Sequence, residues 1–347
     1  MARKILWGSL ALAPLTFVAD FALHWSDVTL FILSALALVP LAWLIGDATE
    51  HAAHHTGPGI GGFLNATFGN APELIISLLA INRGLTEVVR GSLTGSVVGN
   101  VLLVLGFSLF FGRGDPSVDR ESSFLWLGLI LVATIAFLVP AIPSWHGDPE
   151  RHSIAVLSIP VSIALLLLYV TVTWWQLRRH RQLHEAPESS EGVWSLRRAV
   201  AVLGAATAVT AVIAEVLVGS IETFADKANL SDFFVAAVIV AIVGNAAEHG
   251  GAVVVAYRKK IRLSAEIALS SGAQVAVFLI PAVTLLSWAI EPLALSFRAV
   301  ELAALGGSVV AVGLMFLDRR SSNWNGTVLI LLYGVVAGAF FVAGDRG

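Results

Sequence analysis

Eleven apolar runs follow one another along this 347-residue chain, at about 5–23, 27–53, 60–82, 90–111, 121–142, 152–176, 193–224, 231–256, 264–289, 295–317 and 324–344. Each is near the roughly 20 residues that an α-helix needs to cross a bilayer. A backbone in hydrocarbon must satisfy its own hydrogen bonds, which leaves helices or closed barrels. These runs are long and lack the strict alternation of barrel strands. The chain is 57% hydrophobic and 13% charged, where a soluble domain carries about 25% charged residues. The sequence therefore predicts an all-α integral membrane protein with about 11 transmembrane helices. It contains no cysteine, which excludes disulfides, thiolate chemistry and cysteine-ligated metals.

The start, Met1-Ala2-Arg3-Lys4 followed by apolar residues to Phe17, imitates a signal peptide. No polar cleavage region follows, and Asp20, His24 and Trp25 suit the interfacial end of a first span, so residues 1–26 are expected to persist as an extra N-terminal helix. Placing the N-terminus in the cytoplasm puts 15 of the 21 basic residues on that side, leaving Arg83, Arg90, Arg151, Lys227, Arg298 and Arg346 on the other. The positive-inside rule favours this orientation, with the C-terminus opposite and the inner (plasma) membrane as the expected location. A charged stretch, Arg178 to Arg198, divides the remaining ten spans evenly and is too short for a folded domain. The expected organisation is a five-helix repeat at 27–177, a cytoplasmic linker at 178–192 and a second five-helix repeat at 193–347. An odd number of spans per repeat forces the two copies into opposite orientations.

Two motifs carry the chemistry. Gly69-Asn70-Ala71-Pro72-Glu73 returns as Gly244-Asn245-Ala246-Ala247-Glu248-His249, 175 residues later. Glycine and proline weaken a helix, and an acid at membrane depth is costly without a partner or an ion. Interrupted segments in corresponding positions of two halves point to a substrate site in a secondary transporter. Glu73 and Glu248 have no lysine or arginine within a turn, so protonation or cation binding is the expected means of carrying them. Two carboxylates match the charge of a divalent ion, and Asn70, Asn245, Ser96, Asn100, Ser270 and Gln274 offer the hard oxygens that calcium prefers; manganese would accept them too. Ser96 and Asn100 pair with Ser270 and Gln274 at an offset of 174.

Outside this centre, Glu50, Glu215 and Glu222 suit an access path, and His249 suits a proton relay beside Glu248. Pro72 is expected to loosen its helix. Gly91, Gly95 and Gly99 read equally as a close helix crossing or as part of the path. His51 and His55, at i,i+4 beside Glu50, could share a helix face and hold zinc. The sequence contains no His-Glu-x-x-His motif, no nucleophile elbow and no Walker A motif, so an intramembrane enzyme or a chain powered directly by ATP is not supported.

Residues Gly61 to Glu73 closely resemble the first signature of the calcium/proton exchanger (CAX) family of the cation/calcium exchanger superfamily. Gly244 to His249, followed by Ser270-Ser271-Gly272-Ala273-Gln274, resemble its second. The resemblance covers nearly the whole chain. It implies a secondary active transporter without cofactors, moving calcium outward against inward protons, with Glu73 and Glu248 alternating between protonation and calcium coordination. It also implies that the second and seventh spans slide to switch access, and it has precedent for a homo-oligomer. Two features depart from the family: the stretch Arg178–Arg198 is mixed and net basic where relatives often carry an acidic one, and Pro72 stands where many relatives carry another small or aliphatic residue. A Na+(K+)/H+ antiporter on the same fold is the alternative, followed by a Mn2+/Zn2+ exchanger.

Overall fold

A computed structural model describes residues 2–112, 119–181, 193–317 and 323–345; most of the linker, 182–192, lies outside them. The described residues form helices and the turns between them, with no strand. Two short helices open the chain, α1 (Ala2–Ser9) and α2 (Leu12–Phe21). Then come α3 (Asp27–Gly69), α4 (Ala71–Asn82), and α5 (Thr86–Val98), which passes through a π-helical turn at Gly99–Val104 into α6 (Leu105–Phe111). Helices α7 (Arg120–Ser144) and α8 (His152–Arg181) precede the linker.

After it run α9 (Leu196–Ala228), and α10 (Asp232–Phe234), which continues through a second π-helical turn at Val235–Val240 into α11 (Ala241–Gly244). Next are α12 (Ala246–Tyr257), and α13 (Ile261–Gln274), which passes through a third π-helical turn at Val275–Leu279 into α14 (Ile280–Leu286). The last two are α15 (Ala299–Leu317) and α16 (Asn323–Ala343).

Eight of these helical stretches are long and apolar enough to cross a membrane, and a ninth is a pair, Asp232–Gly244 and Glu248–Tyr257, bent by 58°. The apolar segments Ile5–Phe21 and Ala71–Asn82 are shorter. The sequence separates spans at 27–53 and 60–82, whereas α3 runs unbroken to Gly69. One proline removes a single hydrogen bond and each glycine costs about 1 kcal/mol, so the stretch around Pro58 bends or weakens a helix without necessarily ending it. The interruption falls instead at Asn70, where φ −102° and ψ 18° leave the helical region.

Helices α3 and α9 lie along each other. Phe31 stacks on Phe224 at 4.1 Å, and the two ends of the contact are closed by aromatic and polar groups. At the start of α9, His55 Nε2 donates to the carbonyl of Trp194 at 2.7 Å, and His51 stacks on the Trp194 ring at 4.5 Å. Arg198 covers the same ring. The histidine pair offered by the sequence as a zinc site thus serves to hold Trp194, and no group of three or more metal-ligating side chains occurs among the described residues.

The stripe of glycines on α5 resolves into two uses. A Cβ on Gly91 would stand 2.9 Å from the carbonyl oxygen of Phe233, and one on Gly95 would stand 1.9 Å from that of Ala237. Only glycine lets α5 and the α10–α11 segment meet backbone to backbone here. Gly99, in contrast, has nothing within 4 Å.

Arg90, the first residue of the span read from sequence at 90–111, sits deeper than that terminal position suggests. It lies in α5 and is 1% exposed, donating to Glu150 and Glu87 at 2.5 Å and to Ser296 Oγ at 2.9 Å. Glu301, also fully buried, accepts from Thr94 Oγ1 at 3.2 Å and from the backbone amide of Arg298 at 2.8 Å. Arg298 lies over the Phe233 ring at 3.7 Å and donates to the carbonyl of Gly344. Buried charges persist when paired and hydrogen-bonded, and this network ties α5, α10, α15 and the end of α16 together. Glu87, three residues before Arg90, was the available sequence signal.

Candidate cation-binding site

The two motif segments fold alike. Asn70 and Asn245 each leave helical geometry, at φ −102°, ψ 18° and φ −90°, ψ 5°, and each begins a 12-residue helix, α4 or α12. Their carbonyls accept the first intrahelical bonds, from Leu74 at 3.0 Å and His249 at 2.9 Å. Glu73 and Glu248 fall in the first turn of these helices, where the backbone amides and helix dipole favour negative charge. Pro72 sits at the start of α4, where its missing amide has no intrahelical partner to lose. It therefore does not loosen the helix as the sequence suggested. The pairing continues to the far ends: Arg83 and Arg258 terminate the two helices, followed by Gly84 and Lys259 in left-handed conformation, φ 73° and 67°.

Each glutamate lies against the glycine of the other motif. A Cβ on Gly244 would come within 2.9 Å of Glu73 Oε1, and one on Gly69 within 3.4 Å of Glu248 Oε1. The repeated glycine thus provides room for the opposing carboxylate. Neither acid enters an ion pair among the described residues.

The amides and hydroxyls around them form a connected set. Asn245 Nδ2 donates to Ser96 Oγ at 2.8 Å and to the Ala241 carbonyl at 3.0 Å. Asn100 Nδ2 donates to the Ser96 carbonyl at 3.0 Å and reaches Asn245 Oδ1 at 3.5 Å. Asn70, Asn245, Ser96 and Asn100 are all buried. Gln274 is the last residue of α13, where the π-helical turn begins. The turn at Gly99–Val104 holds the corresponding place after α5. Such turns free carbonyls from the regular ladder and recur at functional sites.

Several buried polar atoms of this centre have no partner: Glu73 Oε2, Asn100 Oδ1, Ser77 Oγ and His249 Nε2. A buried, unsatisfied acceptor costs about 1–3 kcal/mol. Two oxygens left in that condition beside a second carboxylate suit a cation, which supplies the missing positive charge. Ser77, one turn beyond Glu73 on α4, was not singled out from sequence; its i+4 spacing on an apolar helix was the signal.

Ser270 turns to its own helix, its hydroxyl donating to the Ile267 carbonyl at 3.2 Å. Its neighbour Ser271 donates instead to Glu248 Oε2. Carrying the 175-residue offset of the glutamates onward, rather than 174, pairs Ser96 with Ser271. Ser271→Ala is expected to raise the half-saturating cation concentration about threefold to tenfold, as a charge-assisted hydrogen bond is lost; Ser270→Ala should leave it unchanged. Ion-concentration curves on reconstituted protein measure both.

The other expected residues lie outside this set. Glu50 is exposed on α3 and Glu222 is exposed in the last two turns of α9. Glu215, also on α9, accepts from the Arg83 guanidinium. His249 does not bond Glu248 among the described contacts, because consecutive helix residues diverge in direction.

An apolar helical bundle in which two broken helices bring paired acids and amides to a buried centre has the architecture of a secondary transporter. The comparisons specify which. The sodium/calcium exchanger protein family matches residues 26–178 and 198–342, and the chain belongs to that family. It is 38% identical to the Ca(2+)/H(+) antiporter ChaA of Bacillus subtilis, over 95% of this chain and 96% of that one. It is 36% identical to a Ca(2+)/H(+) antiporter of Synechocystis, over 97% of both chains. The solved structure of native YfkE superposes with a TM-score of 0.83 at 35% identity, covering 97% of this chain and 99% of that chain.

Proposed function

We propose that this chain is a secondary active Ca2+/H+ antiporter that exports cytosolic calcium in exchange for protons. The observation that carries the reading is the pair of buried Glu73 and half-buried Glu248, with the unpartnered oxygens Glu73 Oε2 and Asn100 Oδ1 beside it. Both curated relatives above, alike over nearly their full length, are named Ca(2+)/H(+) antiporters.

Calcium enters with both glutamates deprotonated, their two charges matching its own, and Asn70, Asn100, Asn245, Ser96 and Gln274 with freed carbonyls complete the oxygen shell, Ser271 rather than Ser270 holding the Glu248 carboxylate. Protons arriving from the other side replace it. An empty site with both acids ionised is too costly to pass through an occluded state, so the return requires protons, and leak is suppressed. Glu50, Glu215 and Glu222 line access, and His249 relays protons. In this reading the eight long helices, the bent pair and the two shorter apolar helices are eleven spans, arranged as one helix and two inverted repeats of five. The matching geometry of the two motif helices supports that layout. The basic residues favour a cytoplasmic N-terminus in the plasma membrane.

The test is counter-transport in proteoliposomes under an imposed pH gradient, with internal calcium and pH followed together. Calcium flux that depends on the proton gradient, with reciprocal proton flux, is the expected result. Proton movement coupled to sodium or potassium while calcium stays still would keep the fold and overturn the substrate.

A further inference from the structure

The two motif helices share more than their glutamates, and their far ends suggest how access is closed. Helix α4 packs against α9, and α12 packs against α3, so each short helix leans on the long helix of the other half. Both end in an arginine followed by a left-handed residue. At one end Arg83 reaches across to Glu215 on α9. Gly219 lies one turn further along α9, and a Cβ there would stand 3.1 Å from an Arg83 guanidinium nitrogen. The glycine clears the bed on which the guanidinium lies. At the other end Arg258 and Glu50 are both exposed, and neither makes an ion pair among the described residues.

Resting on the inverted-repeat reading above, we propose that Arg83 and Arg258 are alternating latches on opposite faces of the membrane. Arg83 closes its face by gripping Glu215, as here. When it releases, Arg258 closes the other face by gripping Glu50. An exposed ion pair contributes little, between about 0 and 1 kcal/mol, which equals at most a roughly fivefold shift between two states. Such a bond can bias a transporter without trapping it. It also keeps a built-in cation on Glu215 whenever that face is shut, so an arriving ion must compete with the guanidinium.

The absence of cysteine makes a clean test available on the full-length reconstituted protein. One pair, Arg83→Cys with Gly219→Cys, replaces the closed latch; the other, Arg258→Cys with His54→Cys, places thiols one turn from Glu50, as Gly219 is from Glu215. Both leave Glu215 and Glu50 in place. A bifunctional methanethiosulfonate with a spacer as long as an arginine side chain is expected to bridge the first pair in most molecules. The bridge should slow exchange at least tenfold, and reductant should restore it. In protein carrying all four cysteines, intact-protein mass should show a single bridge per molecule, and peptide mass analysis should show both kinds of bridge across the population.

The proposal is overturned by failure of the first pair to bridge, by a bridged protein that exchanges at the unbridged rate, by both bridges in one molecule, or by a second pair that never bridges under any ion condition. Bridging is read by mass and does not depend on which ion is carried. A parent protein that moves no calcium would therefore defeat the functional reading, while the latch would still be judged by its bridges.

Discussion

Glu73→Gln and Glu248→Gln are each expected to reduce proton-driven calcium exchange to the background of protein-free vesicles. Glutamine keeps the shape and one carbonyl oxygen but cannot hold a negative charge or deliver a proton. At an effective dielectric of 20, two unit charges about 4 Å apart interact by about 4 kcal/mol, and a divalent ion loses about twice that when one carboxylate is neutralised. A factor of ten corresponds to about 1.4 kcal/mol, so the affinity loss exceeds a thousandfold. Because Glu73 Oε2 has no hydrogen bond to lose, Glu73→Gln should preserve folding. For Glu248→Gln the amide can still meet Ser271. The check is simultaneous calcium and pH recording, with gel filtration of the purified variants. Normal uptake by either variant, inserted and monodisperse, would remove that glutamate from the site.

The second large effect is expected at a residue with no ionisable chemistry. Gly95→Ala should sharply lower the thermal stability of the purified protein, and Gly95→Val should prevent its assembly. An ideal Cβ at Gly95 lies 1.9 Å from the Ala237 carbonyl oxygen and 2.8 Å from Ala241 Cβ. The obstacle is backbone, so no rotamer change relieves it, and the helices must part by about an ångström or more. Overpacking usually costs about 1–3 kcal/mol and occasionally more; a backbone collision belongs at the upper end. The crossing also sets the distance between Ser96, the next residue, and Asn245, whose bond of 2.8 Å joins the two halves of the site. Transport should therefore fall along with stability. Gly128→Ala, with nothing within 4 Å, is the control. A Gly95→Ala protein as stable and active as this control would show that the crossing is loose.

Much of this protein was determined by the order of its residues alone. Long apolar runs with so few charges admit helices in a membrane and little else, because hydrocarbon offers a backbone no partners. The glycines, asparagines and glutamates of the two motifs, 175 residues apart, marked the breaks and the acids before any contact was visible. Their meaning is local: a helix interrupted at Asn70 or Asn245 places the third residue beyond it in a first turn, and sequence spacing specifies that.

What depends on residues distant in the chain was decided only by tertiary packing. Ser271 rather than Ser270 meets Glu248, because a helix turns about 100° per residue and one position determines which hydroxyl faces the carboxylate. Arg90 looks like the exposed first residue of a span until Glu150, Ser296 and the segment leading to Glu301 close around it. Gly91, Gly95 and Gly99 share one spacing, yet the first two meet a crossing backbone and the third meets open space. Arg83 and Glu215 are 132 residues apart, and no pattern in the sequence couples them. Periodicity records which way a side chain points from its own helix; what it meets there is set by how the helices pack.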